Sequence, residues 1–216
     1  MNFDDTPQEA AFRAEAKAWI AANAPRQYEE DLRKASLGRT VIKGANLLEV
    51  AKAWQKKKAD GGWACLHWPK EYGGRGASPI ERVIWQQEEG PFGNLSRVFI
   101  IGHGMCGPTM MAFAGEEQKR KYLPPLASGE KIWCQLFSEP AGGSDVAGLR
   151  TRAEKKGDEW IVNGQKIWTS GAHYPRGRER RRRTHVAAGR SSSQHAGRFA
   201  KRHCGWGGND GQRRCR

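Results

Sequence analysis

The sequence has few cysteines, and their spacing argues against the common cysteine-based sites. Only five occur in 216 residues, namely Cys65, Cys106, Cys134, Cys204 and Cys215. No two of them form a C-x-x-C pair, which argues against a zinc ribbon and against a redox motif. The spacing of Cys204 and Cys215 does not match a zinc-ligand pattern either. We therefore expect reduced thiols, no bound metal and a cytoplasmic location.

Long apolar runs are also missing. Stretches such as Met110–Ala114 are far shorter than the roughly 20 residues that a membrane-spanning helix needs. The N-terminal residues "MNFDDTPQEA" are acidic and polar, unlike the basic and then apolar start of a signal peptide. The sequence predicts neither a membrane segment nor a secretory signal.

Residues 175–216 contain no leucine, isoleucine or methionine. They carry 13 Lys and Arg against 2 Asp and Glu, so residues 1–174 contribute only +3 to the total charge of +14. A segment with so few large aliphatic side chains buries too little surface to offset its ordering entropy. We expect a disordered basic tail after a near-neutral body.

The origin of this tail has two explanations. Its abrupt Arg, Gly and Ser-rich composition is typical of an out-of-frame translation that ends at a chance stop codon, which predicts a frameshifted, truncated chain. The alternative is a genuine arginine-rich arm, since "RGRERRRR" can neutralise phosphates and bind nucleic acid. Non-specific attraction to nucleic acid is expected in both cases, because charge alone suffices.

The body begins with helices whose starts are well marked. Thr6-Pro7-Gln8-Glu9 and Ser78-Pro79-Ile80-Glu81 are capping boxes with proline in the first turn. The first predicts a helix that ends near Pro25, and the second a helix that ends near Gly90. Further helices are predicted from about Asn46 to Gly61, over roughly 94–113, and over 116–123, where Pro124-Pro125 should break the last one.

Short strand-like segments follow. They are "KIWCQLF" (131–137), "RTRAEK" (from Arg150), "EWIV" (159–162) and "QKIWTS" (165–170). Asn163-Gly164 predicts a tight hairpin between the last two, since both turn residues tolerate positive φ. The fold class is therefore α+β, with a helical domain over 1–130, an incomplete antiparallel β domain over 131–174, and the tail over 175–216.

One glycine motif suggests a nucleotide site without supporting one. Gly102, Gly104 and Gly107 form a G-x-G-x-x-G pattern after an apolar run. A dinucleotide site needs a preceding strand and a βαβ unit, whereas Pro108 and a charged helical segment follow here. Glycines that permit close helix packing are the better explanation.

A second pattern carries more chemistry. "WCQLFSEPAGGSD" (133–145) places hydroxyls and glycine backbone N–H groups after a predicted strand, where they can bind a polar heterocycle or an anion. Further on, Trp168 stands beside Thr169 and Ser170, an aromatic face next to hydroxyl groups. This combination suits a flat ring system, and ordinary sheet packing explains it equally well.

Four blocks, in order and at the right spacing, resemble the acyl-CoA dehydrogenases. They are "WPKEYGGRGASPIE", "GEEQKRKYLPPLASGE", "FSEPAGGSD" and "NGQKIWTSGA", and the resemblance covers residues 1 to about 174. It implies a helical N-terminal domain, a β middle domain and a C-terminal helical domain, with FAD between the last two. It also implies oxidation of an acyl-CoA to the enoyl-CoA, electron transfer flavoprotein as acceptor, and a homo-oligomer.

The resemblance assigns cofactor contacts position by position. The flavin-binding strand and loop correspond to Gln135, Phe137, Ser138, Gly143 and Ser144, and Ser144 also corresponds to a substrate contact. Trp168 would pack on the flavin and Ser170 would touch its ring. The family more often has threonine where Ser138 and Ser170 stand, and usually an aromatic residue in place of Gln135.

The family's catalytic base is a glutamate of the C-terminal domain, and the resemblance ends before that domain. Removing the α-proton of a thioester requires a base within hydrogen-bonding distance. No residue between 1 and 174 corresponds to it. The expectation is therefore a flavin-dependent acyl-CoA dehydrogenase chain that is inactive on its own, and the alternative is a non-catalytic chain that binds nucleic acid through its tail.

Overall fold

The computed structural model describes residues 4–34, 40–156 and 159–168, which divide into two compact units. The first unit extends to Ile132, and the second begins at Trp133. The α-helices are α1 (Pro7–Asn23), α2 (Glu29–Arg33), α3 (Leu47–Asp60), α4 (Pro79–Glu88), α5 (Gly93–Ser96), α6 (Gly107–Phe113) and α7 (Glu116–Ala127). The strands are β1 (Arg152–Lys156) and β2 (Glu159–Asn163). This order, helices and then an antiparallel pair, confirms the predicted α+β class.

Both predicted capping boxes are present. The Thr6 hydroxyl accepts the Glu9 backbone N–H at 3.3 Å, and the Glu9 carboxylate accepts the Thr6 N–H at 2.7 Å. Ser78 and Glu81 repeat the exchange at the start of α4, with the same pair of distances. Each box satisfies two backbone groups that a helix leaves unpaired at its start. These local bonds explain why the two helix starts were predictable.

Aromatic side chains form the centre of the first unit. Trp63 and Trp85 stack with ring centroids 4.6 Å apart, and Trp19 lies 5.9 Å from each of them. Trp54 and Phe12 extend the cluster at 5.4 Å from Trp19 and 5.7 Å from Trp63. Large rings at these separations bury extensive apolar area and gain offset-stacking energy. The cluster therefore joins α1, α3 and α4.

The predicted helix over 94–113 is helical but not continuous. It consists of α5, a 3₁₀ turn over Arg97–Phe99, a π-helical turn over Gly102–Cys106, and then α6. The 3₁₀ turn is tighter than an α-helix, whereas the π-helical turn is wider, because it inserts a residue into the helical ladder. The segment therefore changes pitch at both turns, and the π-helical one contains Gly102 and Gly104.

The prediction that Pro124-Pro125 would end a helix is wrong. Helix α7 continues through both prolines to Ala127, and Gly129 follows with φ of +73°. Leu123 and Leu126 are buried on either side of the prolines. Burial of this last turn outweighs the lost N–H donors, because the prolines lie within the final turn and interrupt few bonds.

The second unit departs from two strand predictions. Its described sheet is β1 paired with β2, in a register from Arg152 opposite Asn163 to Lys156 opposite Glu159. Segment 131–137 forms no strand, and neither do the described residues after Asn163. Strand-like residues form a strand only where a partner offers a ladder, and within the described residues that ladder is between β1 and β2.

The hairpin prediction at Asn163-Gly164 is also wrong, because neither residue has positive φ. The lack of a side chain at Gly164 instead allows Thr151 to lie close to its backbone. A Cβ at Gly164 would lie 2.2 Å from the Thr151 hydroxyl oxygen. The antiparallel pair in the described residues is β1 with β2 instead. No helix in the described part of the chain has the length and apolar character to cross a bilayer.

Candidate functional site

Two segments of the second unit that carry predicted cofactor residues lie side by side. The Ile167 N–H donates to the Ser138 carbonyl at 2.9 Å. The Lys166 ammonium donates to the Phe137 carbonyl at 2.9 Å and to the Glu139 carboxylate at 2.8 Å. The structure therefore brings residues 137–139 and 166–168, which are far apart in sequence, to one place.

Large aromatic side chains are exposed on both segments. Phe137 has 51% of its surface exposed and Trp168 has 84%. Trp168 also has φ of +52°, a left-handed conformation that is uncommon for a bulky residue and that occurs at functional sites. Exposed rings close to a hydroxyl group are the side-chain chemistry that a flat, polar-edged ring system requires.

The hydroxyl predicted to face that ring system is available. Ser138 is half-buried, and its hydroxyl has no hydrogen-bond partner among the described residues. Gln135, two residues before Phe137, is half-buried as well. Ser170 lies outside the described residues.

The loop that follows Glu139 makes hydrogen bonds within itself. Glu139 and Gly142 exchange backbone hydrogen bonds of 2.8 and 3.1 Å, and the Gly148 N–H donates to the Asp145 carboxylate at 3.1 Å. Gly143 and Ser144 lie exposed at the tip, where a Cβ on Gly143 would meet nothing within 4 Å. A tip with open space above it leaves backbone and hydroxyl groups accessible to a ligand.

Sequence reasoning missed the group that joins these segments. The Glu139 carboxylate is only 5% exposed and accepts four hydrogen bonds, from the Arg150 and Thr151 N–H groups, the Thr151 hydroxyl and Lys166. The bonds from Lys166 and Thr151, together with that of the Arg150 N–H, lower the pKa of Glu139 to about 2. The only signal in the sequence was the position of Glu139 beside Pro140, and it gave no partner.

The G-x-G-x-x-G pattern of the first unit is a packing feature. A Cβ on Gly107 would lie 2.1 Å from the Trp68 ring, and one on Gly102 would lie 2.6 Å from the Leu126 side chain. Gly104 has no such neighbour. Two of the three glycines thus permit close approach, which agrees with the packing explanation.

The first unit also buries an ion pair. The Lys58 ammonium donates to the Glu89 carboxylate at 2.7 Å, and the indole N–H groups of Trp54 and Trp85 donate to the same carboxylate at 2.9 and 2.7 Å. The Ser96 hydroxyl completes the set at 3.0 Å. Burial raises the pKa of Glu89, but the Lys58 charge and these hydrogen bonds outweigh it, and the net effect is a lowered pKa. The pair is fully satisfied and faces no open surface.

His103 is held neutral nearby. Its Nε2 lies 2.8 Å from the Leu126 carbonyl, and since a carbonyl only accepts, this nitrogen carries the proton. The ring stacks on Phe99 at 5.4 Å. Burial lowers the pKa of His103 to about 4. Among the described residues, no three His, Cys, Asp or Glu side chains converge as a metal site.

Comparison with known proteins identifies the family. A family model described as "Acyl-CoA dehydrogenase, N-terminal domain" matches residues 6–130, and one described as "Acyl-CoA dehydrogenase, middle domain" matches residues 134–176. Acyl-CoA dehydrogenase IpdE1 of Mycobacterium tuberculosis is 38% identical over 162 residues, which are 75% of this chain and 41% of that protein.

Two solved structures support the same assignment. The ChsE4–ChsE5 complex from Mycobacterium tuberculosis contains a chain that matches with a TM-score of 0.60 and 32% identity, over 81% of this chain and 41% of that one. A glutaryl-CoA dehydrogenase of Mycobacterium smegmatis in complex with FADH2 matches with a TM-score of 0.53 and 26% identity, over 76% and 39% of the two chains. The chain spans about two fifths of the length of these relatives. It belongs to the acyl-CoA dehydrogenase family.

Proposed function

We propose that this chain carries the N-terminal domain and the first flavin contacts of an FAD-dependent acyl-CoA dehydrogenase that desaturates an acyl-CoA thioester between Cα and Cβ. The observation that carries the proposal is the juxtaposition of residues 137–139 with residues 166–168. It places an available hydroxyl and two exposed aromatic rings on neighbouring segments. The family match supplies the chemistry for which such a surface is suited.

The proposed FAD contacts fall into two groups. Gln135, Phe137 and Ser138 would line the polar edge of the isoalloxazine, and Gly143 and Ser144 would contact it from the loop tip. Trp168 would pack on the ring, with Ser170 beside it. When bound, FAD accepts the hydride that leaves the substrate β-carbon. The protein groups orient the ring and exclude water from its face.

Ser144 is proposed to contact the CoA-bearing substrate as well. Its hydroxyl lies at the exposed tip of the loop, and no bond to it is formed by the described residues. A hydroxyl in this position can bind a polar group of the thioester arm while leaving the acyl chain free.

The base that removes the α-proton is proposed to come from outside the matched residues. The two matching family models are the N-terminal and middle domains, and by resemblance the base belongs to the C-terminal domain. We therefore expect the 216-residue polypeptide alone to reduce no dye acceptor with any acyl-CoA. Turnover by the purified polypeptide would contradict this.

Assembly and electron transfer are proposed by the same resemblance. A homo-oligomer is the family expectation, with electron transfer flavoprotein as acceptor. The matched ChsE4–ChsE5 structure is a complex of two different proteins, which makes a second family subunit the alternative partner. Mass photometry with and without a co-expressed family subunit distinguishes the two assemblies.

Flavin binding tests the proposal directly. Trp168→Ala should weaken FAD binding by about tenfold or more, because stacking on an exposed indole contributes on the order of 1 kcal/mol or more. Phe113→Ala is the matched control, since Phe113 is 75% exposed but lies in the first unit. The measurement is quenching of flavin fluorescence on titration with protein. Equal affinity in the wild type and Trp168→Ala would contradict the assignment of Trp168.

A further inference from the structure

A single buried carboxylate ties three segments of the second unit together. Glu139 follows the residues proposed to face the flavin, Thr151 precedes β1, and Lys166 follows β2. The Arg150 and Thr151 N–H groups donate to the carboxylate at 2.6 and 2.9 Å, and the Lys166 ammonium donates at 2.8 Å. A buried carboxylate with this many donors is fully satisfied and has one defined geometry.

Lys166 forms hydrogen bonds to the residues on both sides of Ser138. Its ammonium bonds the carbonyl of Phe137 and the carboxylate of Glu139, while the next residue, Ile167, bonds the carbonyl of Ser138. Three hydrogen bonds thus join residues 137–139 to residues 166–168 in the described part of the chain. Two of the three come from the Lys166 side chain.

We propose that Glu139 and Lys166 are positioning residues for the flavin, and that their ion pair sets the spacing between Ser138 and Trp168. The inference rests on the proposed function, which places the flavin against these two residues. Neither Glu139 nor Lys166 needs to touch the ring, because each acts through its neighbour in sequence. Ser138 directly precedes Glu139, and Trp168 lies two residues after Lys166.

The sheet has backbone pairing of its own, so we expect it to form without this ion pair. The β1–β2 ladder pairs five residues on each strand through its own backbone bonds. Trp168, in contrast, is exposed and has strained backbone, so its position depends on the residues just before it. The ion pair is also insensitive to mild acid, since the Glu139 pKa of about 2 keeps the carboxylate ionised well below neutral pH.

The first experiment measures FAD affinity in the 216-residue chain. Lys166→Met and Glu139→Gln should each weaken FAD binding about tenfold, because either change leaves a buried polar group without its partner. Lys155→Met and Glu154→Gln are the matched controls, since both residues are exposed on β1 of the same unit. The controls should bind FAD like the wild type.

A double-variant cycle tests whether the two substitutions weaken FAD binding through the same contact or independently. Glu139→Gln combined with Lys166→Met should weaken binding no more than either change alone, because both break the same contact. Lys166→Arg keeps a charged donor and should restore most of the affinity. Additive losses in the double variant would overturn the proposal.

A measurement without flavin distinguishes a displaced Trp168 from an unfolded domain. In ¹⁵N spectra, the indole resonance of Trp168, assigned with Trp168→Phe, should shift in Glu139→Gln and Lys166→Met. The amides of Ala153 and Val162, which are paired in the sheet, should stay in place. If the wild-type chain does not bind FAD, the proposed function is contradicted, and this positioning role with it. Variants that bind FAD like the wild type, leave the Trp168 indole unmoved or also shift the sheet amides overturn the positioning role alone.

Discussion

At the scale of single residues, we expect the largest loss of stability when the buried ion pair of the first unit is broken. Replacing Lys58 by methionine leaves the Glu89 carboxylate buried with no countercharge. We expect Lys58→Met to lower the free energy of unfolding by about 3–5 kcal/mol, the usual cost of breaking a buried pair from one side. Urea denaturation measures the change.

Lys56 offers a matched control on the same helix. Its ion pair with Asp60 is exposed, with 69% of the lysine side chain in solvent. Exposed pairs of this spacing contribute about 0.5 kcal/mol or less, so Lys56→Met should be nearly neutral. Equal losses in Lys56→Met and Lys58→Met would show that the pair of Lys58 and Glu89 is not the stabilising feature.

His103 predicts a pH dependence. Its pKa is lowered from 6.5 to about 4 in the folded chain, so the unfolded chain binds the proton more readily. The contribution of neutral His103 to the free energy of unfolding is therefore fully present above pH 6.5. It is lost as the pH drops toward 4, by up to about 3 kcal/mol. His103→Gln keeps a donor for the Leu126 carbonyl and should flatten this slope in urea titrations at several pH values.

His67 is the control for that experiment. Partial burial and the charge of Arg82 also lower the pKa of His67, but this residue is more exposed than His103. His67→Gln should leave most of the acid destabilisation in place. A slope that disappears in His67→Gln and persists in His103→Gln would reverse the assignment.

Residue-level partners were the part of the site that sequence could not supply. Glu139 and Lys166 are separated by 27 positions, and Lys58 and Glu89 by 31. A pattern within a short window cannot reveal that two distant charges meet, because their meeting depends on the completed packing. The family resemblance, in contrast, pointed to Ser138 and Trp168, and the structure places their segments side by side. Their contact with a flavin stays a prediction.

At the scale of elements, Gly104 in the π-helical turn and Gly107 at the start of α6 predict opposite outcomes on substitution. Gly107→Ala would force a methyl group against the Trp68 ring, so we expect a loss of about 1–3 kcal/mol from overpacking. Gly104→Ala meets open space within a helical turn and should be neutral or slightly stabilising. Thermal unfolding of the two variants measures the contrast, and equal midpoints would contradict the packing explanation.

Elements with local causes were predictable, and elements with distant causes were not. Thr6 and Ser78 define helix starts through bonds made within three residues. Pro124 shows the opposite case, because burial of the turn around it outweighs its intrinsic helix-breaking tendency. Asn163-Gly164 has hairpin chemistry, but the glycine is required for its contact with Thr151, and the residues after it bond back to Ser138.

At the scale of the whole molecule, charge is divided unevenly along the chain. Residues 175–216, which lie outside the described ranges, carry 13 of the 37 Lys and Arg. We expect the 216-residue chain to bind duplex DNA non-specifically, with an affinity that falls steeply as salt increases. Deleting residues 175–216 should abolish this binding in fluorescence anisotropy. Retained binding would place the basic surface in the body instead.

The two family models match residues 6–130 and 134–176, and they show the family without testing the predicted domain boundaries. Domain limits at residues 130 and 174 stay predictions, as do the frameshift and the disorder of the tail. Resequencing the coding DNA across codons 165–220 tests the frameshift. Recovery of the family pattern in another frame after "KIWTSGA" would support it, and an unchanged sequence would contradict it.

The tryptophan cluster of the first unit has an optical consequence. Trp63 and Trp85 are nearly parallel, with an interplanar angle of 18°, and Trp19 lies close to both. Indole transitions held this close couple to one another and produce exciton bands in the far-ultraviolet circular dichroism. Those bands overlap the helical signal, so helix content read from the spectrum will be distorted. The same overlap lets far-ultraviolet melting report the loss of aromatic packing together with the loss of helix.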